Sequence, residues 1–473
     1  MAILRAMAKS GDPDAQRPDS PPMSRFSRLA RLGALAPRAL PLAKEAMRRA
    51  MGGTAKELDV DQRAELRATA KKTADAMLKT LGEMKGLPLK LGQMASYIEG
   101  LAPPGYEERF QEVLKKLQQK APPLSREAAH RVIVEEFGAA PDELFAEWDP
   151  DPFAAASVGQ VHRAKTRDGR LVAVKVQYPG IDKAIANDLK SLGMLEQMIA
   201  PVGRRYHTKE TLAEVRAVFL AELDYGAEAE NLEMFRRIHA EDRMVVVPQV
   251  VHSLTTKRVI TMELIGGVDY ATFLENASEE DKNAAGETIW RFMFRALYKH
   301  GVLYADPHPG NYRFLGGGRV AFLDYGCVRV LPRPLVEGMK GVVAATMDSD
   351  WDRFYQLCVS VLGYDPTDEA GFKLYTEYTK FLMQPFVQVP FHHTPAVARE
   401  AVGFLVRHGK ELVLPSSGAL PNLPKPINMP PESTFVNRLQ WGLSSVMGGL
   451  GAKGDYRALS EPWIRGETVP PPS

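Results

Sequence analysis

The chain has 473 residues, 45% of them hydrophobic and 25% charged, with a formal net charge of +2 and only two cysteines, Cys327 and Cys358. That is more chain than one ordinary domain needs, with ample material for a core. The near-neutral balance excludes a general nucleic-acid footprint, the cysteine count excludes a disulfide scaffold and agrees with a reducing interior, and no apolar run is long enough to span a bilayer.

In chain order, residues 1–22 read as a disordered polar lead, whose Asp12, Asp14 and Asp19 argue against a mitochondrial transit peptide. Between Met23 and Ala50 stand Arg25, Arg28, Arg31, Arg38, Lys44, Arg48 and Arg49 against the single Glu45, interleaved with Phe26, Leu29, Leu32, Leu35 and Leu40. Such a basic amphipathic stretch suits an anionic membrane surface, and equally a helix docked on the rest of the protein. A helix is expected over Leu89–Glu99, entered at Pro88 and carrying Lys90, Gly92 and Gln93. Gly92 weakens it and implies close packing by another element, although the residues alone fit a surface helix.

Ala154, Ala155, Ala156, Ser157, Val158 and Gly159 form a run of small residues with one glycine. Alanine resists positive φ, so this loop should be stiff and its amides less free to wrap a phosphate. Leu171-Val-Ala-Val-Lys-Val176 follows as a short strand carrying Lys175. A lysine on an apolar strand either points to solvent from a sheet edge or is buried with an anionic partner. Helices are expected around Ala184 to Ala200 and, as one long acidic pattern, from about Thr208 to His239, with Glu222, Asp224, Glu228 and Glu230. Acidic helix faces are usually solvated. Arg258 to Leu264 reads as a strand entering a hinge at Gly266-Gly267.

Asp306-Pro-His-Pro-Gly-Asn311 is followed by Asp324-Tyr-Gly326. In a kinase the first Asp orients the acceptor and takes its proton, the Asn five residues on binds one Mg²⁺, and the Asp before Gly binds another. Asp306, Asn311 and Asp324 fill these slots in order, with oxygens hard enough for Mg²⁺. Pro307 and Pro309 should stiffen the loop, and Gly310 should allow a sharp turn before Asn311. Taken alone the segment is also a plain surface turn. Against that, Val320 to Leu323 reads as a buried strand leading into Asp324, able to pair with Arg313 to Leu315 through Gly316-Gly-Gly318. From Cys327 to Ala345 there is no Ser, Thr or Tyr, so a phosphorylated activation loop is absent, and Leu331-Pro-Arg-Pro-Leu335 should start a helix. Leu414 to Pro431 reads as an extended loop, after which Ser433 or Thr434 caps a helix whose Phe435, Leu439, Leu443 and Val446 suit a core stripe, with membrane contact as the lesser alternative. The tail after Pro462 is expected to fray.

Lys90-Leu-Gly-Gln93, Ala154-Ala-Ala-Ser-Val-Gly-Gln-Val-His162, Glu222-Leu-Asp224, and Ala305 to Asn311 with Asp324-Tyr-Gly326 occur in one order. In these four signatures the chain resembles the UbiB/AarF family of atypical kinases. The resemblance implies an α+β, two-lobed protein-kinase-like fold. It divides the chain into the lead 1–22, a helical extension 23–140, a small β-containing N-lobe 141–265 with a helical insertion, a helical C-lobe 266–462 and a tail 463–473. It implies ATP or ADP with Mg²⁺ as cofactors: Lys175 and Glu228 as an ion pair anchoring phosphates (Glu230 being the competitor), Asn311 and Asp324 as metal ligands, and Asp306 as the catalytic acid-base. The alanine-rich residues and Met262, Glu263 and Leu264 would contact nucleotide, with backbone from Glu263 to Ile265 meeting adenine. Lys90, Gly92 and Gln93, contacted by Glu222 and Asp224, would shut out peptide substrates and face the nucleotide. The family points further to isoprenoid quinone or lipid metabolism, with an anionic or isoprenoid membrane surface and a lipid-biosynthetic protein complex as partners. The near-neutral charge implies no nucleic-acid partner, and the richness in Arg, Ala and Pro without a convincing targeting segment implies a bacterial cytoplasmic location, peripheral on the inner membrane face. Two departures stand out: Tyr304 replaces the family His before Ala305, and Tyr325 replaces the commoner Phe. A small-molecule phosphotransferase of the aminoglycoside- or choline-kinase kind and a non-catalytic nucleotide-binding scaffold are the alternatives.

Overall fold

The computed structural model describes residues 125–156, 158–190, 220–401, 404 and 433–472. The basic stretch Met23–Ala50, the Lys90–Gln93 motif, Ser157 and the Leu414–Pro431 segment lie outside the described residues.

In chain order the elements begin with α1 (Arg126–Phe137), α2 (Pro141–Leu144), β1 (Phe145–Trp148), β2 (Ala154–Ala155), β3 (Gly159–Thr166) and β4 (Leu171–Gln177). Residues 181–190 are helical. There follow α3 (Tyr225–Ile238), β5 (Val245–Val246), β6 (Val259–Glu263), α4 (Tyr270–Asn276), α5 (Glu279–Phe294), β7 (Val302–Tyr304), β8 (Tyr312–Phe314), β9 (Val320–Phe322) and β10 (Val328–Val330). The chain continues through α6 (Arg333–Met347), α7 (Trp351–Ser360), α8 (Glu369–Leu382), β11 (Phe391–His392), α9 (Ser433–Leu450), β12 (Lys453–Gly454) and α10 (Tyr456–Arg465). Contacts divide the chain into two compact units, one holding the described residues up to 190 together with Val251–Leu264, the other holding 220–250 and everything from Ile265.

The first unit is an antiparallel sheet of order β1-β3-β4-β6, with β2 paired to β3. Val172, Val174 and Val176 alternate along β4 and meet Ala129, Val132 and Ile133 of α1 in one buried cluster. Period-2 alternation makes that the covered face and sends Ala173 and Lys175 to the other. Ser125 caps α1 through Oγ, which accepts the Ala128 N–H at 3.2 Å, and Gly138 ends it at φ +67°. Arg258, just before β6, clamps α1 to the sheet through Glu136 at 2.6 Å and Glu135 at 2.8 Å.

The second unit is mainly helical, with small sheets β10-β7 and β5-β9-β8. The hairpin expected at Gly316-Gly-Gly318 forms between β8 and β9; the three glycines have φ of +81°, +57° and +75°, a conformation that residues with a Cβ adopt only under strain. The helix expected after Leu331 is α6, and Leu439, Leu443 and Val446 of α9 are buried as a core stripe.

Two expectations fail here. The single helix from Thr208 to His239 is broken, because Asp224 stands outside helical geometry as the N-cap of α3, its carboxylate accepting the Ala227 N–H at 3.1 Å. Nor is the tail frayed: α10 runs through Pro462, and the buried Lys340 ammonium recruits the tail by donating to the Gly466 carbonyl at 2.7 Å and Thr468 Oγ1 at 2.9 Å. A buried ammonium needs such acceptors, and the chain end supplies them. Val469 adds an N–H bond to the Lys299 carbonyl at 2.8 Å.

Candidate functional site

Four short strands bring together the loops that carry three candidate residues of the helical unit. In the β7–β10 pair Tyr304 opposes Val328, and in the β8–β9 pair Tyr312 opposes Phe322. Asp306 therefore follows β7, Asn311 directly precedes β8, and Asp324 lies between β9 and β10. The loops are stitched to one another: Leu323 N–H donates to the Asn311 carbonyl at 2.9 Å, Ala305 N–H to the Cys327 carbonyl at 2.9 Å, and Asn311 Nδ2 to the Asp306 carbonyl at 3.2 Å. With its nitrogen on that carbonyl, the Asn311 amide keeps Oδ1 as an acceptor for a cation.

The loop between Asp306 and Asn311 is shaped by His308, to which the sequence argument gave no role. Its Nδ1 accepts the Gly310 N–H at 2.7 Å, and the Asn311 N–H reaches the His308 carbonyl at 2.9 Å. A Cβ on Gly310 would meet that ring nitrogen at 2.9 Å. The tight turn expected before Asn311 is present over Pro309–Asn311, and the missing Cβ of Gly310 also admits the close approach of the imidazole; its φ is not positive. On its other side the loop rests on α9, where a Cβ on Gly442 would come within 2.6 Å of Pro307 Cγ.

Beneath the loops lies an aromatic floor. Tyr304 and Tyr325 meet edge to face at 5.8 Å between ring centres, and Phe235 of α3 packs 5.4 Å from Tyr325. Tyr304 Oη donates to the Asp324 carbonyl at 2.7 Å, which is what the departure from His accomplishes here. Burial, with Tyr312, Asp324 and other neighbours adding, holds this phenol well above its ordinary pKa, so it remains a donor.

Glu228 is buried on α3 and its Oε1 accepts the Tyr325 N–H at 3.4 Å, while Glu230, the competitor, is exposed. A Cβ on Gly326 would lie 3.9 Å from both Glu228 Oε2 and Glu222 Cγ, so both acids flank the same turn. Asp224 caps α3 through one carboxylate oxygen; the Lys90–Gln93 motif it was expected to contact lies outside the described residues. Asn231, three residues beyond Glu228, donates Nδ2 to the Tyr325 carbonyl at 3.0 Å. Sequence reasoning missed it; the one available signal was its i+3 spacing on the face that carries Glu228.

In the sheet unit, Lys175 is buried on β4, opposite Val161 of β3 and Ile260 of β6. With a neighbour on each side β4 is an interior strand, which removes the reading of Lys175 as an edge-strand lysine. Lys175 and Glu228, the expected ion pair, fall in different units. Ala154 and Ala155 pair with Val161 and Gln160, and the Ala156 N–H closes the hairpin on the Gly159 carbonyl at 2.7 Å. Val158 and Gly159 are buried, and the Val158 carbonyl accepts the Tyr178 N–H at 2.9 Å.

His162 completes that motif. The Asp149 carbonyl can only accept, so Nδ1 carries the proton toward it at 3.0 Å, and Nε2 takes a hydrogen bond from Gln160 Nε2 at 3.1 Å. Burial lowers the imidazole pKa to about 4. At the hinge, Met262 and Glu263 oppose Ala173 and Val172 on β4, and the Leu264 N–H is donated to the Leu171 carbonyl at 3.1 Å. Adenine contact expected from Leu264 cannot use that N–H.

The donor set suits Mg²⁺. Among the described residues no group of three or more His, Cys, Asp or Glu side chains could hold a metal, which excludes an all-protein cage of those ligands. One carboxylate from Asp324 and one amide oxygen from Asn311, with water and phosphate oxygens completing the shell, is the pattern a nucleotide-bound Mg²⁺ takes. Among the described residues no helix is long and apolar enough to cross a membrane.

A match to the ABC1 atypical kinase-like domain spans residues 116–358. The mitochondrial atypical kinase COQ8B of Rattus norvegicus is 30% identical over 75% of this chain and 66% of its own length. Yeast mitochondrial atypical kinase COQ8 is 30% identical over 61% of this chain and 57% of its own, and an uncharacterized Synechocystis protein is 31% identical over 61% and 73%. The chain thus spans between about half and three quarters of these relatives. Among solved structures, Rv3197 of Mycobacterium tuberculosis, determined with erythromycin, superposes with a TM-score of 0.57 at 26% identity, over 86% of this chain and 98% of that one, and supports the kinase-like fold.

Proposed function

The chain belongs to the ABC1 atypical kinase-like family, the UbiB/AarF group, and on that premise we propose that it is a Mg²⁺-dependent phosphotransferase or ATPase acting on ATP or ADP. The observation that carries this reading is the stitching of the loops that carry these residues: Asn311 Nδ2 bonds the Asp306 carbonyl, and Leu323, the neighbour of Asp324, bonds the Asn311 carbonyl. Surface turns do not need such cross-links.

Asp324 and Asn311 would hold the cation, which when bound offsets negative charge on the phosphate oxygens. Lys175 supplies a fixed positive charge for the phosphates. Asp306 orients the acceptor hydroxyl or water and takes its proton, its loop held by the His308 turn and the Asn311 amide. Tyr304 stays protonated and steadies the Asp324 backbone. Family membership extends the proposal to isoprenoid quinone or lipid metabolism, and the basic amphipathic stretch from Met23 to Ala50 supports a peripheral place on an anionic membrane.

The test is Mg²⁺-ATP turnover by wild type and Asp324→Asn, with and without anionic liposomes and quinone-precursor phenols. Turnover lost in the variant is expected. Equal turnover in both proteins defeats the enzymatic reading, and indifference to liposomes removes the membrane.

A further inference from the structure

The turn that carries Asp324 is fixed at four successive backbone groups. In the peptide joining Asp324 and Tyr325, the carbonyl accepts from Tyr304 Oη at 2.7 Å and the N–H donates to Glu228 Oε1 at 3.4 Å. In the next peptide, the Tyr325 carbonyl accepts from Asn231 Nδ2 at 3.0 Å and the Gly326 N–H donates to Asp324 Oδ1 at 3.0 Å. A peptide unit is planar, so holding both of its polar ends sets its orientation. Two consecutive planes set in this way determine φ and ψ at Tyr325 and constrain ψ at Asp324. The Gly326 bond then restricts the carboxylate itself.

We propose that Asn231 and Tyr304 are positioning residues for the Asp324 carboxylate. Both hold backbone carbonyls and neither is a metal ligand. They act from different elements, Asn231 from α3 and Tyr304 from the end of β7. Glu228 and Asn231 stand three residues apart, so one face of α3 engages both peptides. The ring of Tyr325 is itself packed, edge to face with Tyr304 and against Phe235 of α3.

This inference rests on the reading of Asp324 as a Mg²⁺ ligand, and the experiment separates the two. Full-length wild type, Asn231→Leu, Asn231→Asp, Tyr304→Phe and Asp324→Asn are titrated with the non-hydrolysable analogue AMP-PNP, with and without Mg²⁺. Hydrogen exchange of the segment around residues 323–327 is followed in the protein free of nucleotide and metal. Tyr304→Phe removes one oxygen from a buried ring and guards against misfolding of the Asn231 variants. Expected in Asn231→Leu and Tyr304→Phe is a loss of about three- to tenfold in the Mg²⁺-dependent part of AMP-PNP affinity, the size of one hydrogen bond. Affinity without Mg²⁺ should be unchanged, and the segment should exchange faster. Lower melting temperatures with an unaltered Mg²⁺ dependence would mark both residues as merely structural and overturn the inference. Failure of wild type to bind AMP-PNP in a Mg²⁺-dependent way, or no effect of Asp324→Asn on it, would overturn the metal reading itself.

Discussion

Lys175 and Asp324 are held by opposite means. Lys175 sits mid-strand in β4, with a ladder to β3 on one side and to β6 on the other. Asp324 sits in a gap between β9 and β10, where no ladder runs and side chains hold the backbone instead. A ladder distributes its hold on the backbone over many bonds. The Asp324 turn depends on a few particular atoms. The sharpest way to separate the regions is to remove each charge and then each support. Asp324→Asn should lower Mg²⁺-ATP turnover by about 100-fold or more, a typical loss for one electrostatic contributor at a reacting centre, and Lys175→Met should do the same. The regions differ in what surrounds those residues. Conservative substitutions at Val161 of β3 or Ile260 of β6, the ladder neighbours of Lys175, should leave turnover close to wild type, whereas substitutions at the supports of the turn should not, as steady-state hydrolysis by both sets would show.

Gly442 gives the next largest effect. Because a Cβ there would lie 2.6 Å from Pro307 Cγ, Gly442→Val pushes α9 into the loop that carries Asp306. Overpacking of this kind costs about 1–3 kcal/mol. The displaced loop should also lower turnover by about tenfold, since small misplacements at a reacting centre are expensive. Melting temperature and turnover, measured together, should both fall.

How much of this was legible beforehand differs between the regions in the same way. The β4 strand follows from its apolar residues and the β8–β9 hairpin from three consecutive glycines, because local backbone preference and a period of two are written in adjacent residues. Motif spacing sufficed to nominate Asp306, Asn311 and Asp324. What spacing cannot show is a bond made across long sequence separations: Asn231 looks like one polar residue on an acidic helix until the Tyr325 carbonyl is found beside it. The break before α3 was hidden because Glu222-Leu-Asp224 also fits a helical pattern, and only the cap bond to Ala227 distinguishes the two. The anchored tail was unreadable because its partner, Lys340, lies on α6, more than a hundred residues earlier.

The sheet unit has its own sensitive point, of a kind that responds to pH rather than to metal. Buried His162 has its pKa lowered to about 4, against about 6.5 in an unfolded chain. Below about pH 6.5 the unfolded state takes up the proton first, so the stability from the neutral imidazole is complete above that pH. It is lost as pH falls toward 4, to an extent on the order of 3 kcal/mol. His162→Gln should be less stable at pH 7.5, through loss of the ring stacked on Trp148, yet should lose less on going to pH 5. Urea midpoints of both proteins at the two pH values would check this. A wild-type slope no steeper than that of the variant would show that His162 does not carry the dependence.

The smallest expected effect separates two tyrosines that share the aromatic floor. Tyr304 Oη has the Asp324 carbonyl, whereas Tyr325 Oη, equally buried, has no hydrogen-bond partner among the described residues. Deleting a bonded hydroxyl leaves an acceptor stranded, while deleting an unbonded one removes a desolvated group that returned nothing. Tyr325→Phe should therefore be neutral or stabilising by up to about 1 kcal/mol, raising the melting temperature by about 2 °C, with turnover within about twofold of wild type. Tyr304→Phe should lower both the melting temperature and turnover. Differential scanning fluorimetry and hydrolysis assays on the pair would show it, and a loss of stability in Tyr325→Phe equal to that in Tyr304→Phe would mean that ring packing, and not the bond to Asp324, makes Tyr304 matter.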